Sequence, residues 1–139
     1  MQASRYERTL TELDHLRLER LARDEIDLLA SAESDAIDAV LQEAELVASR
    51  KVSPDVVTMY SQVLVADRAT GGTRELTLCY PADADARAGF ISVFSPVGAA
   101  LLGLHVGSVA RWRSPDGQEG AAHVVALLFQ PEASGDFSR

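Results

Sequence analysis

No proline precedes Pro54 and no glycine precedes Gly71, so all five prolines and all nine glycines of this 139-residue chain lie in its C-terminal part. Gly and Pro are the residues that break helices and shape turns. The first fifty residues are therefore free to run as helix, while the remainder is punctuated every few residues. That asymmetry predicts two unlike units, a helical one over residues 1–52 and a strand-rich one over 53–139.

In the first unit Thr9-Leu-Thr-Glu12 reads as a capping box, with Thr9 at the N-cap and Glu12 reaching back to it. Leu10, Leu13, Leu16 and Leu21 follow at helical spacing, with Leu18 at the edge of the stripe. A second stripe comprises Ile37, Val40, Leu41, Ala44, Val47 and Ala48, and Ser31 or Ser34 would cap its helix. Two antiparallel helices packed stripe to stripe, with a tip near residues 23–34, fit this pattern. One continuous helix fits it as well, because neither Gly nor Pro marks the tip. Arg17 falls in the middle of the first stripe, where it would face Asp38, Glu43 or Glu45 of the second helix.

Beyond Pro54 the hydrophobic period shortens to two. Met59, Ser61, Val63 and Val65 share one face of a strand, Thr70-Gly-Gly72 turns it, and Leu76, Leu78 and Tyr80 line the returning strand. Ile91–Phe94 is a further short strand. Ser95-Pro96 starts a helix, a hydroxyl cap before a proline at the first position, and Gly103 ends it. Val109–Arg113 and His123–Phe129 are strands joined by Ser114-Pro-Asp-Gly117. The fold class is α+β: a helical hairpin followed by a small curved antiparallel sheet with one short helix.

The formal charge of −8 has an address. Asp24, Glu25, Asp27, Glu33, Asp35, Asp38, Glu43 and Glu45 lie in a stretch without Lys or Arg, and the rest of the chain balances at thirteen acids against thirteen bases. Such a chain does not coat phosphate backbones, so no direct binding to nucleic acid is expected. Nothing resembles a signal peptide or a membrane span, and a cytoplasmic protein is expected. Cys79, the single cysteine, alternates with strand residues and reads as a packed apolar group. His15, His105 and His123 are isolated from one another, and no nucleophile elbow, phosphate loop or zinc spacing is present, so neither catalytic residues nor a cofactor or metal is expected. Asp24 and Asp27, at i and i+3, share one helix turn, but two carboxylates seldom hold Mg²⁺ without further ligands.

Four stretches together resemble a known family: Val56-Val-Thr-Met-Tyr-Ser61, Leu76-Thr-Leu-Cys-Tyr-Pro81, the run from Ile91 to Gly107 with Ser-Pro-Val-Gly-Ala-Ala-Leu-Leu-Gly at its centre, and Phe129-Gln-Pro-Glu-Ala-Ser-Gly-Asp136. The chain is similar to the Rnk family, regulators of nucleoside diphosphate kinase, which is related to the Gre transcript-cleavage factors. The resemblance implies a short N-terminal coiled coil and an FKBP-like C-terminal domain. It also implies docking of the C-terminal domain on a coiled coil of the largest RNA polymerase subunit at the secondary channel; the function expected from this is a non-enzymatic transcription regulator, a monomer, that competes there with Gre factors. The docking patch of the cleavage factors includes D-S-P at the start of the short helix. The matching residues here are Phe94, Ser95 and Pro96, which leaves Ser95, Pro96 and the neighbouring Val97 as interface candidates. The family usually has asparagine where Tyr60 stands and an acid where Ser108 stands. The alternative function is a cleavage-stimulating factor that uses Asp24, Glu25 and Asp27 at the hairpin tip; prolyl isomerisation by fold analogy is a distant third.

Overall fold

The computed structural model describes residues 8–24, 31–114 and 116–136, with backbone alone at 24 and 31–36. Two helices, α1 (Glu12–Asp24) and α2 (Ser31–Glu43), are flanked by the short strands β1 (Thr9–Thr11) and β2 (Glu45–Val47). These strands pair in parallel, Leu10 opposite Leu46. A second sheet follows: β3 (Gln62–Asp67), β4 (Thr73–Cys79), β5 (Phe90–Ser92), β6 (Val109–Arg113) and β7 (Glu119–Phe129), in the order β5-β4-β3-β7-β6. The helix α3 (Pro96–Leu101) connects β5 to the rest and packs against α2 and β6. Among the described residues no helix is long and apolar enough to cross a membrane.

The helical half departs from its sequence pattern in instructive ways. The cap of α1 is Thr11, whose hydroxyl accepts from the Asp14 amide at 3.0 Å; Thr9 is committed to the β1–β2 pairing. Moving the start by two residues rotates the buried face. Leu18 is fully buried and Ala22 lies beside it, whereas Leu16 is 44% exposed. Positions 14, 18 and 22 thus form the inward row, four residues apart. In α2, Ile37 and Val40 are buried as the pattern requires, but the helix stops at Glu43, so Val47 belongs to a strand and not to the stripe. His15 Nε2 lies 3.0 Å from the Leu41 carbonyl and joins the first turns of α1 to the last turn of α2.

The sheet follows the period-two reading closely. Met59, Ser61, Val63 and Val65 are all buried, as are Leu76 and Leu78. Strand β3 begins only at Gln62, because the Thr58 amide donates to the Ser61 hydroxyl at 2.9 Å and folds residues 58–61 into a turn. One pairing is not antiparallel: β4 and β5 run parallel, Leu78 opposite Ile91. Strand β7 is longer than its apolar run, since it extends back to Glu119 to pair with all of β6. Leu18, Ile37, Val63, Leu78, Leu101 and Val124 belong to one contiguous buried cluster, so both halves share a core.

At the contact between the halves lies a carboxyl group. Asp14 is buried, its Oδ2 accepts from the Met59 amide at 3.1 Å, and its Oδ1 has no hydrogen bond. Burial, reinforced by the nearby Glu132 and opposed by the Met59 amide, pushes its pKa up to about 7. Arg17, on the next turn of α1, acts electrostatically on both Asp14 and Tyr80. Between about pH 4 and pH 7 the folded chain therefore holds a proton that the unfolded chain releases, and stability falls as pH rises through that window. Asp14→Asn removes the titration. Thermal unfolding of both proteins at pH 5 and pH 8 is expected to show the variant gaining on the parent by on the order of 2 kcal/mol at the higher pH.

Candidate functional site

The interface candidates sit on a tightly built turn. The Ser95 hydroxyl accepts from the Gly98 amide at 3.1 Å and donates to the Ser92 carbonyl at 2.7 Å, so it caps α3 and ties it to the end of β5. Pro96 occupies the first helical position, where its missing N–H costs nothing. Ser95, Pro96 and Val97 are half-buried, whereas Gly98, Ala99, Ala100 and Leu101 are buried. A Cβ on Gly98 would lie 2.0 Å from the Ser92 carbonyl oxygen, so no larger residue fits without moving the helix. Phe94, where the cleavage factors carry an acid, is 3% exposed and points into the core. At the far end of α3 the Arg8 guanidinium donates to the carbonyls of Ala99, Ala100 and Leu102 at 3.1, 3.0 and 2.7 Å, which suits the negative end of a helix.

Of the acids expected at the hairpin tip, Asp24 is the last described residue of α1, and Glu25 and Asp27 lie outside the described residues. Asp38, Glu43 and Glu45 are exposed. Cys79 is fully buried and its thiol donates to the Ile91 carbonyl at 3.3 Å; burial raises its pKa, as for a packed apolar group. The histidines stand on separate elements, and among the described residues no group of three His, Cys, Asp or Glu side chains could hold a metal ion.

One arrangement has the outline of a proton relay. Asp55 Oδ2 lies 3.2 Å from His105 Nδ1, and His105 Nε2 lies 3.2 Å from the Thr9 hydroxyl. Burial works against the Asp55 charge, but the Ser53 hydroxyl and His105 outweigh it and hold the carboxyl below its ordinary range. Thr9 is 7% exposed inside the β1–β2 pair, so no substrate reaches its hydroxyl. The chain of contacts ties the first strand to the 53–57 segment and does not form a nucleophile.

Several anchoring residues carried no sequence signal of their role. Gln130 Nε2 donates to the carbonyls of Ser53 and Val56 at 2.9 and 2.8 Å. The Thr58 hydroxyl donates to Glu132 Oε1 at 2.7 Å, and Glu132, 8% exposed, has its pKa raised by burial. The Gln-Pro-Glu motif of the tail is thus a fastener that holds the C-terminus against the loop touching Asp14. Tyr60 takes φ +64°, a left-handed conformation that asparagine tolerates far better than tyrosine. Its hydroxyl donates to Asp83, and its ring meets Tyr80 edge-on with centroids 5.8 Å apart. The contact at Gly98 generates a sharp expectation: Gly98→Ala should cost about 3 kcal/mol, against about 1 kcal/mol for loss of the cap in Ser95→Ala, as read by urea unfolding.

Residues 51–127 match the family model described as transcription elongation factor, GreA/GreB, C-terminal. The regulator of nucleoside diphosphate kinase of Escherichia coli K12 is 41% identical over 104 residues, 75% of this chain and 76% of that protein. Transcription elongation factor GreA of Flavobacterium johnsoniae is 32% identical over 110 residues, 69% of this chain and 70% of that protein. Among solved structures, a prokaryotic transcription elongation factor GreA/GreB from Nitrosomonas europaea superposes with a TM-score of 0.71 at 34% identity, covering 88% of this chain and 99% of that one. With the helical half, the five-stranded sheet and the Ser95-Pro96 helix start all in place, the chain belongs to the GreA/GreB family and is a homologue of the regulators of nucleoside diphosphate kinase.

Proposed function

We propose that this chain is a non-enzymatic regulator of transcription, a cytoplasmic monomer that binds RNA polymerase beside its secondary channel and competes there with Gre factors. Its effect on nucleoside diphosphate kinase then runs through transcription. The observation that carries this reading is the family membership, spanning a relative named for that kinase and relatives named as elongation factors. The C-terminal unit, residues 53–139, would dock on a coiled coil of the largest subunit through Ser95, Pro96 and Val97, the half-exposed part of α3. The helical unit, residues 1–52, would act as an antiparallel coiled coil that presents acidic charge to the channel mouth.

Reach argues for obstruction over cleavage. Helices α1 and α2 are described over 13 residues each, ~20 Å at 1.5 Å per residue. Asp24, Glu25 and Asp27 would then colour the channel entrance electrostatically without serving as ligands of the catalytic Mg²⁺. The exposed carboxylates at Asp38, Glu43 and Glu45 support the same role.

Immobilised core RNA polymerase should capture the purified chain, with Pro96→Ala/Val97→Ala weakening capture by about tenfold while unfolding temperature changes little. Absence of capture by the parent chain overturns the reading. In stalled elongation complexes the chain should slow cleavage driven by an added Gre factor and should not itself accelerate transcript cleavage. Acceleration that is lost in Asp24→Ala or Asp27→Ala establishes the cleavage-factor alternative instead.

A further inference from the structure

We propose that the outer face of the sheet, across β3, β7 and β6, is a docking surface for an amphipathic helix of another protein, one whose apolar stripe continues into carboxylates about nine residues away. Val63, Val65, Ala110, Ala122 and Val124 belong to the buried cluster, together with Leu18, Ile37 and Leu101 of the three helices. By strand alternation Leu64, Ala66, Arg111, Ala121 and His123 lie on the opposite face. Two β-bulges shape that face. The pairing of β3 with β7 passes over Leu128 between Gln62 and Val63, and over Val125 between Leu64 and Val65. The extra residues stay out of the core, beside Phe129 and Ala126, the partners of Gln62 and Leu64. Val125, Leu128 and Phe129 are 39, 45 and 38% exposed, and Leu64 is half-buried next to them. Half of the exposed large hydrophobic side chains among the described residues thus lie on this one strand.

Further along the strands the face becomes cationic. Arg111 is the cross-strand partner of Ala121, and the Arg68 amide donates to the Ala121 carbonyl at 3.0 Å, so two exposed arginines flank one small residue. Neither has an ion-pair partner among the described residues. The neighbouring acids are engaged elsewhere. Asp67 accepts from the amides of Ala69 and Thr70 at 2.8 and 3.0 Å, and Glu119 pairs with Arg113 at 2.8 Å. Arg68, Ala121 and Arg111 all line an open groove of about 760 Å³ at this end of the sheet. Leu64 and Arg68 are four residues apart, about 13 Å along an extended strand. An α-helix covers that span in about nine residues. Glu75 stands exposed opposite Leu64, so the apolar end repels carboxylates while the arginine end receives them, and the two together fix which way the helix lies.

The same features select against other occupants. A second copy laid face to face with its strands parallel would set arginine against arginine. Laid antiparallel, it would cover the guanidiniums with apolar side chains and leave them without counter-charge. A nucleic-acid strand or an anionic bilayer brings dense negative charge towards a chain of −8, and long-range repulsion opposes it. A helix with few carboxylates meets the two arginines at far smaller long-range cost and covers the apolar end as well.

The probe is the blocked, dye-labelled peptide QAEEQAEAQALAQLLAQL, whose three glutamates and four leucines share one helix face. Titrated at low salt with the full chain, its anisotropy should rise and saturate below about 1 mM. Amide chemical shifts of the isotope-labelled chain should move in residues 62–68, 109–113 and 121–129 and stay fixed at 95–97. Arg68→Glu/Arg111→Glu should weaken binding by about tenfold and should bind the peptide with lysine in place of glutamate more tightly than the parent does. Val125→Gln/Leu128→Gln should weaken both peptides by a similar factor. If circular dichroism shows either double variant unfolded, Arg68→Gln alone should weaken the acidic peptide by about threefold. The proposal is overturned by no saturable binding to the parent chain, by equal binding of the lysine peptide, or by shifts centred outside this face. Tighter binding of a short single-stranded RNA or of phosphatidylglycerol vesicles, or dimerisation through this face in sedimentation, overturns it in favour of that occupant. The experiment contains no polymerase and maps a surface apart from Ser95–Val97, so its failure is distinct from failure of the docking through α3.

Discussion

The architecture depends on the place where the N-terminal segment crosses the end of α3. There the Arg8 guanidinium takes up three helix-terminal carbonyls, the Thr9 amide donates to the Gly103 carbonyl at 2.9 Å, and the Glu45 amide donates to the Arg8 carbonyl at 3.0 Å. Carbonyls at the end of a short helix must find donors or water. Here the donor comes from a residue more than ninety positions away in sequence. One cation therefore completes α3 and fixes the root of both long helices. The packing of α2 on α3 and the bond from the Met59 amide to Asp14 also hold the helical half to the sheet.

Much of this was legible in the order of residues. The lack of Gly and Pro before Pro54 marked out the helical half, and period-two alternation placed β3, β4 and β6. Ser95-Pro96 announced α3 because a cap and a first-turn proline act within four residues. The expectations that failed were those decided by distant partners. Thr9 looks like a cap until Glu45 is beside it, and once the helix begins at Thr11 the inward row shifts from Leu16 to Leu18. The burial of Asp14 carried no sequence signal, since nothing local says that α1 meets residue 59 there. The parallel pairing of β4 with β5 depends on a connection through 3₁₀ turns whose residues, from Pro81 to Gly89, carry no hydrophobic period.

The candidate site was legible to a lesser degree. Ser95, Pro96 and Val97 do occupy a common half-exposed turn, yet the residues that hold that turn in place are Arg8, Gly98 and Ser92. Ser92 and Gly98 lay inside the motif, and Arg8 did not. The tail motif stood out by its resemblance, and the structure supplies its physical content: Gln130 and Glu132 close off polar groups of the 53–61 loop that would otherwise be buried without partners. Tyr60 is the reverse case. It keeps a left-handed backbone that its side chain does not favour, and its contacts with Asp83 and Tyr80 compensate.

The contact between Gly98 and Ser92 bears on kinetics as well as on stability. A helix locked at one end by that approach and at the other by Arg8 has almost no room to slide or rotate. If a partner docks there as proposed, the exposed turn would keep its shape, and association would carry little ordering entropy. Encounter rates for docking through α3 would then follow diffusion and charge, and sequence changes there would register mainly in how long the complex lasts.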